Sequence, residues 1–217
     1  MRASSNHLFR LIQLGIGLFL YGVATALMVR AAVGVTSWSV LTQGLERVMP
    51  LSFGTLTVLT SFVVLMLWIP LRQKPGIGTV LNVVVIGPAA DLTLVLVDEP
   101  GGLLARWLLF TAGLLLLAVS TACYIGARYG TGPRDGLMVG LHERFAMPIW
   151  RARTLVEVTV VVCGALLGGD LGIGTVVATF AIGPLVQPLM PVFSRLPWSP
   201  TPDTGRTPVE QDEPQYV

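Results

Sequence analysis

The chain has 217 residues, 53% hydrophobic and 12% charged, with a formal net charge of +2 and a mean hydropathy of +0.74. Soluble domains carry about 25% charged residues. Half that share, with apolar runs near the roughly 20 residues that cross a bilayer, predicts an all-α polytopic membrane protein and leaves no nucleic-acid footprint.

The first apolar run covers 8–29. Arg2 and Arg10 precede it, and Ala24-Thr25-Ala26 resembles a signal cleavage site. The run continues to Val29, long enough to span, so it reads as span 1. A short segment, 35–48, follows with Trp38, Val40, Leu41 and Leu45 apolar and Gln43, Glu46 and Arg47 polar. Span 2 covers 52–69 and is stopped by Pro70; the link Arg72-Gln73-Lys74-Pro75 is basic. Span 3 covers 76–97, and Asp98-Glu99-Pro100-Gly101-Gly102 is an acidic turn.

The plan then recurs. Span 4 covers 103–127, a short segment 133–145, span 5 152–167 and span 6 172–193. Cys123 and Cys163 lie inside apolar runs and read as packed thiols, neither a disulfide nor metal ligands. The expected organisation is one transmembrane domain over 1–196 and a disordered cytoplasmic tail over 197–217, rich in proline with Glu210, Asp212 and Glu213.

Gly-Ile-Gly-Thr-Val opens span 3 at Gly76 and span 6 at Gly172, and both reach Ile-Gly-Pro, ending at Pro88 and Pro184. The offset is 96 residues, with 8 of 13 positions identical. The same offset pairs Gly17 with Gly113, Gly34 with Gly130, Leu41 with Leu137 and Gly44 with Gly140. The signal is an internal repeat, residues 8–97 against 104–193. If the short segments do not cross and the N-terminus is cytoplasmic, 11 of the 14 Lys and Arg fall inside. Only Arg30, Arg47 and Arg106 fall outside. Three spans per repeat then make the topology inverted, with both termini cytoplasmic.

Several residues are candidates for a solute site. Gly87-Pro88 and Gly183-Pro184 each remove an amide in mid-span and free the carbonyls of Val84 and Phe180, for a ligand or merely for a kink. Asp91, matched by Gln187, is an intramembrane carboxylate or one at the outer interface. Asn82, Thr79, Thr175 and Thr179 are polar positions on the same spans. Glu157 reads as an interfacial partner for Arg151 or Arg153. In Gly132-Pro133-Arg134-Asp135-Gly136, Pro133 suits the first helical position, and Asp135 suits the positive end of the helix dipole. Gly136 and Gly140 form a small-residue face. The segment is a re-entrant half helix facing a cavity, or an amphipathic helix at the cytoplasmic surface. The candidate binding set is Asn82, Pro88, Asp91, Pro133, Arg134, Asp135, Pro184 and Gln187.

Catalytic signatures are missing. His142-Glu143 lacks the second histidine of a zinc motif, with Ala146 in its place. There is no Gly-x-Ser-x-Gly elbow and no phosphate-binding Gly-Lys-Ser/Thr loop. No enzyme, cofactor or metal is expected.

Three stretches carry a family resemblance: Gly34 to Leu45 before Leu51-Ser52-Phe53-Gly54-Thr55, Leu67 to Thr79 with Asn82, and Gly132 to Met138. Through them the chain resembles the YczE branch of the YczE/YyaS/YitT group of bacterial integral membrane proteins. The resemblance implies a multipass plasma-membrane protein and a Gly-Pro-Trp-Asp sequence at the first short segment. Here Thr36-Ser37-Trp38-Ser39 stands instead, whereas Pro133 and Asp135 keep the second copy. The expected function is a small-solute transporter or channel-like protein. The alternative is a non-transporting accessory of a membrane-associated enzyme system. The bilayer is the expected partner, with a small solute or ion, and homodimerisation is left open.

Overall fold

The computed structural model describes residues 2–197, with side chains from His7 onward. The expected disordered tail lies, Pro197 apart, outside the described residues. All the regular structure described is helical: α1 Arg2–Ala31, α2 Ser37–Val48, α3 Phe53–Leu71, α4 Ile77–Leu96, α5 Leu103–Gly126, α6 Pro133–Phe145, α7 Ile149–Leu166, α8 Ile173–Val186 and α9 Met190–Ser194. Four of these, α1 from His7, α3, α4 and α5, are long and apolar enough to cross a membrane. α7 has 18 residues but carries Arg151, Arg153 and Glu157, and α8 has only 14. Large apolar side chains such as Val95, Leu104 and Phe180 stand outward, as a lipid-facing surface requires.

Three elements depart from the sequence reading. Pro70 does not stop α3, which runs one residue past it to Leu71. α7 begins at Ile149, three residues before the expected start at 152, because Pro148 serves as its N-cap. The expected span over 172–193 is interrupted at 187–189, between α8 and α9. Pro184, Pro188 and Pro191 follow one another closely there, each without an amide to donate. Leu92 and Val95 stand 96 residues before Pro188 and Pro191, and α4 accordingly runs unbroken through Pro88 to Leu96. Neither Gly-Pro pair breaks its helix on the spot, since α8 also continues past Pro184 to Val186. A membrane helix tolerates one proline when its neighbouring turns stay bonded.

Helices in lipid gain little from apolar burial, so small residues that admit a close neighbour decide the packing. α1 and α5 form the central pair. A Cβ on Gly17 would lie 2.7 Å from the Tyr124 amide nitrogen, and one on Gly113 2.9 Å from Met28 Cγ. α4 lies on α1, where a Cβ on Gly22 would come within 2.5 Å of the Ile86 carbonyl. α8 packs on α5, with Ala178 in a core of Ala24, Met28, Phe110 and Leu114. The short helices cross over between halves: α2 packs on α7 and α6 on α3. Their shared core holds Trp38, Val64, Trp68, Leu137, Met138, Val156 and Val160.

The Gly-Ile-Gly-Thr motifs form the seats for the turns that lead into the short helices. A helix start leaves its first amides unbonded. Gly78 N–H is satisfied by the Tyr129 carbonyl at 2.8 Å, and Gly174 N–H by the Val33 carbonyl at 2.9 Å. Thr79 Oγ1 donates to the Thr131 carbonyl at 2.7 Å, and Thr175 Oγ1 accepts from Val35 N–H at 3.1 Å. Each turn has two left-handed residues, Ala32 and Gly34 in one and Arg128 and Gly130 in the other; the glycines, at φ 136° and φ 118°, enter that region without steric cost.

This packing separates two glycines on one helix. Gly22→Ala pushes a methyl into the α4 backbone and should destabilise by about 1–3 kcal/mol. Gly15 meets nothing within 4 Å, so Gly15→Ala should gain about 0.5–1 kcal/mol of helix propensity. Thermal denaturation of the detergent-solubilised protein checks both. A higher melting temperature for Gly22→Ala would contradict the close α1–α4 contact.

Candidate functional site

α6 starts at Pro133, whose missing amide costs nothing in a first turn. Trp68, near the C-terminal end of α3, holds that turn: its Nε1–H donates to the Pro133 carbonyl at 3.0 Å. Its ring lies flat on the glycine face, where a Cβ on Gly136 would be 2.0 Å from Trp68 Cζ2. Gly140 similarly receives Leu71 and Gln73. The small-residue stripe of α6 is thus spent on α3.

Opposite this contact, polar groups from three helices converge. Tyr124 Oη, on α5, donates to Asp135 Oδ2 at 3.2 Å. A Cβ placed on Gly132 would have Asn82 Nδ2 at 3.3 Å, Asp135 Oδ2 at 3.4 Å and Tyr124 Oη at 3.5 Å. A side chain at 132 would fill the point where they meet. Tyr21, on α1, packs edge-on against Tyr124 with ring centroids 6.0 Å apart. Arg134 leans the other way, its guanidinium 4.8 Å from the centroid of the Trp38 ring on α2. Trp38 and Arg134 stand 96 residues apart, so the first turns of the two short helices meet through matching positions.

The electrostatics of this cluster are those of an enclosed polar site. Arg134, Arg153 and Glu157 all act on Asp135. Asp135, Arg134, Asn82 and Tyr21 are half-buried, whereas Tyr124 and Trp38 are buried. Trp38 Nε1 has no hydrogen-bond partner among the described residues.

The expected site residues therefore divide. Asn82, Pro133, Arg134 and Asp135 come together. Asp91 does not join them: its carboxylate accepts from Ser52 Oγ and from Gly54 N–H, both at 2.6 Å, and so caps the start of α3. Pro88, Pro184 and Gln187 are exposed, as are Val84 and Phe180, the residues whose carbonyls lose an amide partner. Glu157 departs from the interfacial reading. α7 begins eight residues before it, it makes no ion pair with Arg151 or Arg153 among the described residues, and it lies within electrostatic reach of Tyr21 and Asp135.

Sequence reasoning missed Tyr21, Tyr124 and the role of Trp38. The hydroxyls of the two tyrosines, set in otherwise apolar spans, were the available signal. The pairing of Trp38 with Arg134 at the repeat offset was another.

Comparison with known proteins places the chain. Residues 8–191 match a family of unknown function, DUF6198. An uncharacterised protein of Haemophilus influenzae is 37% identical over 183 residues, 84% of each chain. YyaS of Bacillus subtilis is 28% identical over 185 residues, 83% of this chain and 92% of its own. YczE of Bacillus subtilis, described as an uncharacterised membrane protein, is 24% identical over 177 residues, 81% of this chain and 82% of its own. No solved structure matches. With nearly the whole helical domain matched, and with the YyaS and YczE likeness agreeing with the motifs read from the residues, the chain belongs to the DUF6198 family.

Proposed function

We propose that this chain is a small-solute transporter or channel-like protein of the plasma membrane, with its site where the first turns of α2 and α6 meet. The observation that carries the reading is the convergence of Asn82, Tyr124 and Asp135 beside the Arg134–Trp38 contact. Ionisable groups inside a membrane bundle are costly, and they mark solute or ion pathways by default. No ligand chemistry beyond hydrogen bonding and charge is required of them.

Two inverted repeats of about 96 residues with six crossings account for the paired contacts. Gly17–Tyr124 answers Gly113–Met28, and Gly78–Tyr129 answers Gly174–Val33. The left-handed residues Ala32 and Arg128, Gly34 and Gly130, and Arg72 and Gly168 also fall 96 apart. The far ends of the short helices are tied to opposite turns. Arg47 pairs with Asp170 at 2.6 Å just before α8, and Gln73, just before α4, donates to Glu143 at 2.6 Å. In the six-crossing arrangement those two turns lie on opposite sides of the membrane. The short helices then enter from opposite faces as half helices, with their N-termini meeting in the interior, an arrangement that suits transport.

Two variants separate site from scaffold. Asp135→Asn keeps a hydrogen-bonding group and removes the charge. It should insert and fold at the wild-type level and lose whatever phenotype complementation the intact protein provides. Asp91→Asn weakens a helix cap, a loss of about 0.5–2 kcal/mol, and should lower the melting temperature while complementation persists. Full complementation by Asp135→Asn at normal protein level would sink the site assignment.

Topology supplies a further check. In a cysteine-free background, a cysteine at Gln73 should resist an impermeant thiol reagent added to intact cells. One at Asp170 should react. Rapid labelling at 73 would overturn the six-crossing arrangement and the cytoplasmic termini.

A further inference from the structure

Resting on the transport reading, we infer that the solute is a small carboxylate anion, held between the Arg134 guanidinium and the Trp38 indole N–H. Three observations converge on this chemistry. First, the N-terminal turns of α2 and α6 meet at Trp38 and Arg134, and each such turn presents unbonded amides and the positive end of a helix dipole. Thr36, at the N-cap of α2, makes no side-chain bond to those amides, and neither does Gly132 at the N-cap of α6. Secondly, Trp38 is 7% exposed, and its Nε1–H has no acceptor among the described residues. A buried donor left unbonded is destabilising, and an arriving acceptor removes that cost. The Arg134 guanidinium carbon stands 4.8 Å from the centroid of the same indole. Thirdly, Arg134 is half-buried and, among the described residues, has neither an ion pair nor a hydrogen bond; its close contact is the Trp38 ring face. A guanidinium without a carboxylate or carbonyl partner keeps its N–H fork available, and that fork matches a carboxylate in bidentate fashion.

The remaining charges are compatible with an anion here. Asp135 follows Arg134 on α6 but points its carboxylate to α5, where Tyr124 donates to it. Arg153 and Glu157, on α7, act on Asp135 with opposite signs. Tyr21 and Asn82 add neutral polar groups from α1 and α4. A cation would have to displace or neutralise Arg134 before it reached Trp38.

The test uses the full chain in lipid nanodiscs, with sodium lactate and sodium acetate as probes. Sodium chloride, sodium phosphate and tetramethylammonium chloride are compared at matched ionic strength. Lactate or acetate should raise the melting temperature saturably and shift the indole N–H resonance that Trp38→Phe removes. Arg134→Gln, at a half-exposed position, should retain the unliganded melting temperature within a few degrees and lose the response to the carboxylates. Arg134→Lys, which keeps the charge without the fork, should bind about tenfold more weakly. The shift of the indole resonance in the wild-type protein reads the same contact if Trp38→Phe fails to fold. Stabilisation by chloride or phosphate but not by carboxylates would overturn the carboxylate assignment. Stabilisation by tetramethylammonium alone, dependent on Asp135, would overturn the anion site and leave the transport reading standing. No response to a probe of either charge, with no solute of a wider metabolite screen binding, would remove both.

Discussion

Two hydrogen bonds govern the interior: Gly78 N–H to the Tyr129 carbonyl, and Gly174 N–H to the Val33 carbonyl. Each satisfies an orphan amide at a helix start with a carbonyl from a turn that has no helical partner of its own. Gly78 and Gly174 are buried, so each bond satisfies an amide that would otherwise go unpaired. Their geometry sets the level at which α2 and α6 begin. The short helices can therefore start inside the bundle, and their first turns can touch. If the turns were free, 12- and 13-residue helices would lie more cheaply at the surface, with their amides in water.

On this scaffold the two halves have been filled differently. Ser52, Gly54 and Asp91 build a capped, close α3–α4 contact; 96 residues on stand Pro148, Trp150 and Gln187. Trp150 cannot admit a neighbouring backbone as Gly54 admits Gly87, and a Cβ on Gly183 would meet nothing within 4 Å. Where α6 offers Gly136 to Trp68, the corresponding contact reverses the sizes: Gly164 receives the backbone of Val40 and Leu41. Ser39 and Ser61 stand where the second half has Asp135 and Glu157. The charge is thus concentrated on one side of the contact between the short helices, and Trp38 faces it from the other.

The helices and their order were legible because apolar runs and Gly/Pro punctuation carry that information directly; α6 falls on the expected 133–145. The break after Val186 was legible in principle, since Pro184, Pro188 and Pro191 crowd together. It was hidden by the match to α4, which has only the first of the three. The Gly-Pro pairs misled because a free carbonyl matters only where it faces a cavity, and the direction a helix faces is set by tertiary packing. Asp91 misled for a related reason. A carboxylate one turn past a proline reads as a ligand until Ser52 and Gly54, 39 and 37 residues away, are seen to use it. Asn82, Arg134 and Asp135 were legible as polar exceptions in or beside apolar spans, and Pro133 as a helix start. Tyr124 was not, because a tyrosine among leucines is an ordinary core residue until its hydroxyl is placed.

Trp68 links the scaffold to the site. Its indole N–H bonds Pro133, and its ring fills the space above Gly136, so it grips the first turn of α6 on both sides of Arg134 and Asp135. A recognition group works only as well as its support is rigid. Arg134 is long and flexible, and its position comes from two flat surfaces: the Trp38 face that it lies against, and the turn that Trp68 immobilises. Tyr124, held against α1 where Gly17 leaves room for its backbone, then fixes Asp135 from α5. The two adjacent charges of α6 are in this way drawn to opposite walls, Arg134 to α2 and Asp135 to α5. Their separation, which keeps them from neutralising each other in an ion pair, follows from the same close helix contacts that hold the bundle together.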